Sequence, residues 1–211
     1  MNSARLIERF INYVQCPSES GKEALFCALL ENELRRLGLF VKRDCVGPLC
    51  GSDGWNIYAR LEGNGDAMLF SAHLDTVYPG ENIKPALADG VIHSQGDTVL
   101  GADDKAGIAA VMESLESVIE SGKPHRTVEV LFSVCEETGL FGAKHADFSN
   151  IISKQAVVLD NESLGEIINM NPANMVVIFE VFGKSAHAGM SPENGVHALK
   201  AAAKAVANIP V

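Results

Sequence analysis

A histidine and an aspartate two residues apart are the first candidates for chemistry in this sequence. His73 and Asp75 lie in residues 71–77, directly after a short apolar run, residues 67–72, that predicts a buried strand. Imidazole is a common zinc ligand, and a ligating histidine usually donates its other ring N–H to a carboxylate that fixes its orientation. The pair therefore fits a metal ligand with its orienting partner, although both residue types are also common in ordinary turns at strand ends.

Three further acidic clusters lie in similar surroundings. They are Asp103-Asp104 in a glycine-flanked loop before a helix, Glu136-Glu137 after the strand-like residues 127–134, and Asp160 after the strand-like residues 155–159. In open α/β sheets, functional sites assemble at the carboxyl ends of the strands. One histidine and several carboxylates gathered there would repel one another unless a divalent cation compensated their charge. The pattern therefore predicts a metal site at one edge of a sheet.

Three of these motifs, in this order, resemble those of the co-catalytic dizinc peptidases, the family of peptidase T, aminoacylase and glutamate carboxypeptidase. The motifs are HLDTV at residues 73–77, GADDKAG at residues 101–107 and EETG at residues 136–139. The second is most similar to the tripeptidase branch, that of peptidase T. The resemblance covers essentially the whole chain. It implies an α/β fold in which a mixed sheet is flanked by helices, followed by the start of an inserted α+β lid or dimerisation domain.

The resemblance also implies a set of metal ligands. They are His73, Asp103, Glu137 and Asp160, and Asp103 would bridge two ions. The implied cofactor is Zn²⁺, two ions per complete site, although a carboxylate-rich shell also accepts Mn²⁺ or Co²⁺. At the start of a helix, Asp103 and Asp104 also suit simple capping. Lys105 either screens the site or is an ordinary solvated lysine.

Three further side chains receive catalytic roles from the same resemblance. Asp75 orients His73, and Glu136 is the general base that activates a water molecule and later protonates the leaving amine. His187, in the glycine-flanked loop 183–189, faces the substrate, in many members of the family from the neighbouring subunit. The other four histidines have no motif around them and are interpreted as structural: His93, His125, His145 and His197.

The implied reaction is hydrolysis of amide bonds in short peptides, as in a tripeptide aminopeptidase. An N-acyl amino acid deacylase or a carboxypeptidase would use the same motifs, so both remain alternatives. The chain ends at Val211, before the returning strands and the last histidine ligand that the family pattern includes. We therefore expect the N-terminal part of a longer enzyme, or else a metal-binding fragment without activity.

Composition narrows the class of protein and its partners. With 211 residues, 47% of them hydrophobic, the chain can bury a substantial core. Its net charge of −10 argues against nucleic acid and anionic membranes as partners. No signal peptide is visible, no apolar stretch reaches roughly 18 residues, and the five cysteines form no paired pattern. We expect a cytoplasmic enzyme that binds a short peptide, with a homodimer through the lid as a further possibility.

Hydrophobic periodicity and turn residues predict the elements that position these side chains. The predicted elements are a helix capped by Ser3, a helix ending near Leu37, strands at 40–44 and 56–61, a hairpin turn at 63–65, a small hairpin at 85–94 and a helix from Asp104. The turn at 63–65 is expected to pair the 56–61 strand with the strand that ends at His73.

The chain is expected to contain one nearly complete domain and the beginning of a second. Residues 1–170 would be the N-terminal portion of the catalytic domain, and residues 171–211 the incomplete start of the lid. Within the second part, residues 174–182 predict a strand because they are apolar on both faces. A helix is expected to begin at Asn194.

Overall fold

Five of the apolar runs in the first 164 residues pair into one sheet in the computed structural model, which describes residues 1–161, 163–170 and 176–209. The strands, in their spatial order, are β1 (Phe40–Asp44), β2 (Asn56–Leu61), β6 (Val128–Ser133), β3 (Met68–His73) and β7 (Ala156–Val158). β1, β2 and β6 are successively antiparallel, whereas β3 is parallel to both β6 and β7. The predicted mixed α/β fold is confirmed.

The hairpin predicted at residues 63–65 is wrong in its pairing. The chain does turn there, but β6 lies between β2 and β3, so these two strands are not neighbours. Turn residues indicate that the chain reverses, and they do not determine which strand it then pairs with. β6 is buried along most of its length, and a central position between two strands covers it better than an edge would.

The small hairpin is confirmed. β4 (Pro85–Ala88) and β5 (Val91–Ser94) pair antiparallel as a separate two-stranded sheet. Asp89 and Gly90 connect them with φ angles of 50° and 79°. Two successive residues with positive φ form the turn whose twist matches a two-residue hairpin, which is why Asp-Gly predicted it.

Five helices surround the larger sheet or lie in its connections. They are α1 (Ser3–Gln15), α2 (Ala24–Arg36), α3 (Gly47–Cys50), α4 (Ala102–Ser121) and α5 (Phe141–Lys144). Asn2, and not Ser3, caps α1, since its side chain accepts the backbone N–H of Arg5 at 3.2 Å. α2 packs on β1 and β2, and α4 packs on β3 and α1. Within the described ranges, no helix is long and apolar enough to cross a membrane.

One hydrophobic core joins the helices to the sheet. The rings of Tyr13 in α1 and Phe26 in α2 meet edge to face, with centroids 5.4 Å apart. Phe132 of β6 and Met112 of α4 are also fully buried in this core. The apolar faces of three helices and the central strands therefore form a continuous layer, and the polar strand ends lie at its margin.

A buried carboxylate fixes α1 to α4. The side chain of Glu113 in α4 is fully buried and accepts hydrogen bonds from Arg5 Nε at 2.6 Å and from the backbone N–H of Asn2 at 2.7 Å. The guanidinium of Arg9 lies 3.3 Å from the same carboxylate. Hydrogen bonding to Arg5 lowers the pKa of Glu113 from 4.5 to about 2. The ionised form is therefore the one that the folded state stabilises.

Glu113→Gln is expected to lower the free energy of unfolding by about 2 kcal/mol, the usual range for a hydrogen bond to a charged group. Because the folded-state pKa is lower than the unfolded one, this contribution is complete above pH 4.5 and is lost as the pH falls toward about 2. Urea denaturation between pH 2 and 7 measures it. Glu120→Gln, at the exposed second partner of Arg5, is the matched control. A variant as stable as the control at pH 7 would contradict the assignment.

The second unit, Gly165–Val211, differs from the expectation at two points. The described residues 176–182 of the predicted strand at 174–182 form no strand, while 174 and 175 lie outside the described residues. A strand requires a hydrogen-bonded neighbour, and in the described part of this unit the only strand-type pairing is the bridge between Lys184 and Val196. The helix begins later than Asn194: a 3₁₀ turn spans Pro192–Asn194, and α6 spans Ala198–Ala207.

Candidate metal centre

Three parallel strands bring the predicted site residues to one edge of the sheet. β3 ends at His73, which pairs with the last residue of β6. The turn that carries Glu136 and Glu137 follows β6, and Asp160 follows β7. Asp103 lies in the first turn of α4, which packs on β3. Since parallel strands present their carboxyl ends on the same side, four separate segments meet there.

Two groups of side chains at this edge have an arrangement that could hold a metal ion. In each group, one potential ligand atom per residue lies within 4.8 Å of the others. The groups are His73 with Asp103 and Glu137, and His73 with Asp104 and Asp160. All four ligands expected from the sequence lie in these groups. Asp104 is an additional member, and His73 belongs to both groups.

The carboxyl groups at this edge are crowded enough to alter one another's ionisation. Burial, followed by the charge of neighbouring carboxylates, raises the pKa of Glu136, Glu137 and Asp160 above the ordinary values, although His73 opposes the shift. The same causes raise the pKa of Asp104 to about 8. Ionised carboxylates this close together repel one another, so a cation among them would be stabilising.

The ring of His73 is held between two aspartates. Its Nε2 lies 2.9 Å from Asp103 Oδ1, and its Nδ1 lies 2.8 Å from the backbone oxygen of Asp75. Burial disfavours the charged imidazolium, but the hydrogen bonds to Asp75 and Asp103 outweigh it and raise the pKa of His73 to about 10. Nε2 is therefore directed toward the carboxylates, which is the orientation that a ligating nitrogen requires.

The side chain of Asp75 orders the groups around it. It is fully buried and accepts the hydroxyl of Ser20 at 2.7 Å, together with the backbone N–H groups of Glu136 at 2.8 Å and Glu137 at 3.2 Å. Burial alone would raise the pKa of Asp75, but hydrogen bonds from His73, Glu136 and Ser20 lower it below the ordinary value. An ionised Asp75 thus links the histidine to the glutamate turn. No motif in the sequence identifies Ser20 as a partner.

The two aspartates at the start of α4 lie at a kink that precedes its regular helical turns. Both residues have non-helical φ and ψ angles, so the regular part of α4 begins after Asp104, and a capping role for one of them stays a prediction. Asp103 is largely exposed toward the site, whereas Asp104 is buried and accepts the backbone N–H of His73 at 3.3 Å. The peptide bond between the two aspartates is cis. Asp103 thus contacts the ring of His73, and Asp104 contacts its backbone N–H.

The surroundings of Lys105 differ from both interpretations made from the sequence, a lysine that screens the site and an ordinary solvated lysine. Its side chain is fully buried, and its Nζ donates to the backbone oxygen of Cys16 at 2.7 Å. The ammonium also lies 4.7 Å from the ring centroid of Phe26. The lysine is neither solvated nor bound to the carboxylates, because the apolar stem and the cation both find partners in the core. It connects the start of α4 to α1 and α2.

His187 is described within the second unit alone. Its ring is exposed, and Nδ1 accepts the backbone N–H groups of Gly189 at 3.2 Å and Met190 at 3.1 Å. These contacts order the loop that carries the histidine. Both are made by Nδ1, so neither involves Nε2. Its proposed contact with substrate stays a prediction.

The donor set fits a divalent metal. One imidazole nitrogen and several carboxylate oxygens are typical ligands of zinc and manganese. The carboxylate of the buried Asp75 lies 3.5 Å from His73 Nδ1, a position in which carboxylates usually orient ligating histidines. Burial, together with the charges of neighbouring carboxylates, raises the pKa of Glu136 and Glu137, as expected for a site that is short of positive charge. These features belong to the residues themselves and do not depend on any relative.

Comparison with known proteins agrees with this chemistry. The model of peptidase family M28 matches residues 56–206. The uncharacterised protein YqjE of Bacillus subtilis is 39% identical over 100% of this chain and 58% of its own length. The aminopeptidase PepT of Bacillus cereus superposes with a TM-score of 0.78 at 35% identity, covering 100% of this chain and 58% of that one. A tripeptidase from Staphylococcus aureus gives 0.83 at 30%, covering 99% and 57%.

The chain spans about three-fifths of the length of the curated relatives it matches, 58% and 60% for two of them. Within that span the family match begins at β2 and includes every segment that contributes to the metal centre. The chain therefore belongs to peptidase family M28, and its similarity to peptidase T relatives places it with that branch of the exopeptidases.

Proposed function

We propose that the protein hydrolyses peptide bonds in short peptides, releasing the N-terminal residue of tripeptides, in a reaction that depends on a divalent metal. Family membership supports metal-dependent hydrolysis, and the relatives named as a tripeptidase and as an aminopeptidase support the choice of substrate. The observation that carries the proposal is a difference in position between two adjacent glutamates. Glu137 belongs to a ligand group, whereas Glu136 belongs to neither of the groups found among the described residues.

His73, Asp103, Glu137 and Asp160 would hold the metal, with Zn²⁺ as the proposed ion and two ions in a complete site. Asp103 is the proposed bridge between them. Its exposed carboxylate lies 2.9 Å from His73, the residue that belongs to both ligand groups. When bound, the metal would polarise the scissile carbonyl and make a water molecule more acidic.

Glu136 would move the proton in this reaction. Its backbone N–H is fixed by Asp75, and its half-buried side chain remains outside the ligand groups. The carboxylate would accept a proton from the attacking water and return it to the leaving amine, which requires one group to serve first as base and then as acid. Burial and neighbouring charges raise its pKa, which makes the second of these roles easier.

Substrate assays test the proposal. We expect cleavage of tripeptides with a free amino terminus. Hydrolysis of N-acyl amino acids, and removal of the C-terminal residue from peptides, should be slower. Chelation of the metal should abolish the activity, and added Zn²⁺ should restore it. Preference for N-acyl amino acids would indicate a deacylase with the same site. Binding of metal without hydrolysis of any of the three substrate classes would contradict the proposed activity.

Asp75→Asn is expected to lower metal affinity by about 10–100-fold, the usual effect of losing a group that orients a metal ligand. An amide offers one acceptor oxygen, so it cannot accept the N–H groups of both glutamates and also orient His73. Competition with a chromophoric chelator measures the affinity. Asp66→Asn makes the same chemical change at an exposed position and serves as the control. Equal affinities of the two variants would remove Asp75 from this role.

The same proposal extends to the organisation and location of the protein. Residues 1–170 would form the catalytic part and residues 171–211 the beginning of a lid that mediates a homodimer. His187 would reach substrate from that lid. A cytoplasmic location is supported by the five cysteines, since all of them are free thiols.

A further inference from the structure

The turn after β6 is fixed by two buried carboxyl groups from different parts of the chain. Three consecutive residues, Cys135, Glu136 and Glu137, each donate a backbone N–H to one of them. Cys135 donates to Glu23 Oε1 at 3.2 Å, while the two glutamates donate to the two oxygens of Asp75 at 2.8 and 3.2 Å. Glu23 and Asp75 are both fully buried. Asp75 lies beside His73, whereas Glu23 belongs to neither of the ligand groups found among the described residues.

Both oxygens of Glu23 are occupied. Besides Cys135, Oε1 accepts the backbone N–H of Gly21 at 2.9 Å, and the thiol of Cys135 lies 3.4 Å from it. Oε2 accepts the hydroxyl of Ser52, which in turn accepts the backbone N–H of Gly54 at 2.9 Å. A buried carboxyl group is costly unless it is hydrogen-bonded, and these contacts satisfy it. The contacts to Cys135 and Ser52 are on different oxygens.

Helix capping does not account for Glu23. The residue occupies the N-cap position of α2, where a side chain usually accepts a backbone N–H of the first helical turn. Its own side chain makes no such bond, and the N–H of Ala24 is accepted instead by Asp53 Oδ1 at 2.9 Å. The carboxyl group of Glu23 is therefore directed away from its helix and toward the β6 turn.

The residue that Glu23 contacts has an unusual backbone conformation. Cys135 has a φ of 52°, in the left-handed region. For a residue with a side chain this conformation costs on the order of 1 kcal/mol and persists when the surroundings fix it. Any relaxation of Cys135 would rotate the next two residues, because they follow it directly in the chain. The conformation of Cys135 thus sets the direction of Glu136 and Glu137.

We propose that Glu23 is a positioning residue for the metal centre, which fixes the backbone at Cys135 so that Glu136 and Glu137 point into the site. This inference rests on the proposed function, since it assigns a purpose to those two glutamates. Glu23 holds the first N–H group of the turn, and Asp75 holds the next two. Three successive N–H groups are therefore fixed. Loss of either carboxyl group would leave the turn held at one end.

Three variants of Glu23 and its neighbour test the inference. Glu23→Ala removes the acceptor of the Cys135 N–H, Glu23→Gln keeps an acceptor oxygen of the same reach, and Ser52→Ala removes a contact to the other oxygen. Zn²⁺ affinity is measured by chelator competition, and amide hydrogen exchange is measured at residues 135–137. We expect Glu23→Ala to weaken Zn²⁺ binding by about 10–100-fold, as for other groups that orient ligands. Exchange at residues 135–137 should become faster. Glu23→Gln and Ser52→Ala should remain close to the unmodified protein in both measurements.

The outcomes separate this inference from the proposed function. Unchanged Zn²⁺ affinity and unchanged exchange in Glu23→Ala would overturn it, and so would an equal loss in Ser52→Ala, which would indicate a general packing effect. If Glu23→Ala does not fold, Glu23→Asp takes its place, because the shorter side chain withdraws the carboxyl group from Cys135. Absence of Zn²⁺ binding by the unmodified chain would contradict the proposed function instead. Hydrogen exchange would still test Glu23 in that case, since it requires no metal.

Discussion

Replacing Glu136 by glutamine is expected to lower the rate of tripeptide hydrolysis by about 10²–10⁴-fold, the usual contribution of a general acid–base group. Metal content should not change, because Glu136 lies outside the ligand groups found among the described residues. Glutamine has nearly the same size and keeps the backbone bond to Asp75, so the turn is expected to stay in place. Steady-state kinetics and metal analysis of the same preparation give the two quantities.

Glu137→Gln is the matched control for this experiment. Glu137 lies in the ligand group with His73 and Asp103, so its replacement should reduce metal binding together with activity. The contrast between the adjacent variants is the informative result. Loss of metal in Glu136→Gln with retention in Glu137→Gln would show that the two glutamates have exchanged roles.

Gly107→Ala is expected to destabilise the protein by about 1–3 kcal/mol, the usual cost of forcing extra atoms into a packed region. Elsewhere within a helix the same change stabilises by about 1 kcal/mol, so the sign is reversed here. A Cβ atom at Gly107 would lie 2.3 Å from Asp104 Oδ1 and 2.8 Å from the backbone oxygen of Leu159. The absence of a side chain at Gly107 thus leaves room for the Asp104 carboxylate and lets α4 approach the strand end that precedes Asp160.

Urea denaturation and Zn²⁺ titration of Gly107→Ala measure the two consequences. Metal affinity should fall as well, since relief of the clash must move Asp104 or the segment that carries Asp160. Ala106→Ser, at the exposed neighbouring position, should change neither quantity appreciably. A Gly107→Ala variant that is more stable than the unmodified protein and binds metal equally well would contradict this account. It would show that a methyl group fits between Gly107, Asp104 and Leu159.

The sequence predicts a turn or a strand correctly where the residues of that segment alone determine its structure. The Asp89-Gly90 turn forms its hairpin because both residues tolerate positive φ, a property of the two residues themselves. The strands that end near His73, Glu136 and Asp160 were recognisable from their apolar runs. Because parallel strands share an edge, the meeting of these residues followed from the fold class.

Features that depend on distant parts of the chain could not be predicted in this way. The insertion of β6 between β2 and β3 is decided by tertiary packing, and the turn at residues 63–65 carries no information about it. Lys105 is buried because Cys16 and Phe26 provide partners from α1 and α2, and no local pattern distinguishes it from a surface lysine. In each case the deciding contact is made by residues far away in sequence.

Titration of the metal-free protein with Zn²⁺, compared with its His73→Ala variant, tests most directly whether this sheet edge is a metal centre. His73 belongs to both ligand groups, so its loss affects every arrangement that they allow. We predict that the unmodified protein binds at least one Zn²⁺ per chain tightly enough to retain it through gel filtration, and that His73→Ala loses this binding. Equal retention by the two proteins, or no retention by either, would contradict the assignment of the metal centre.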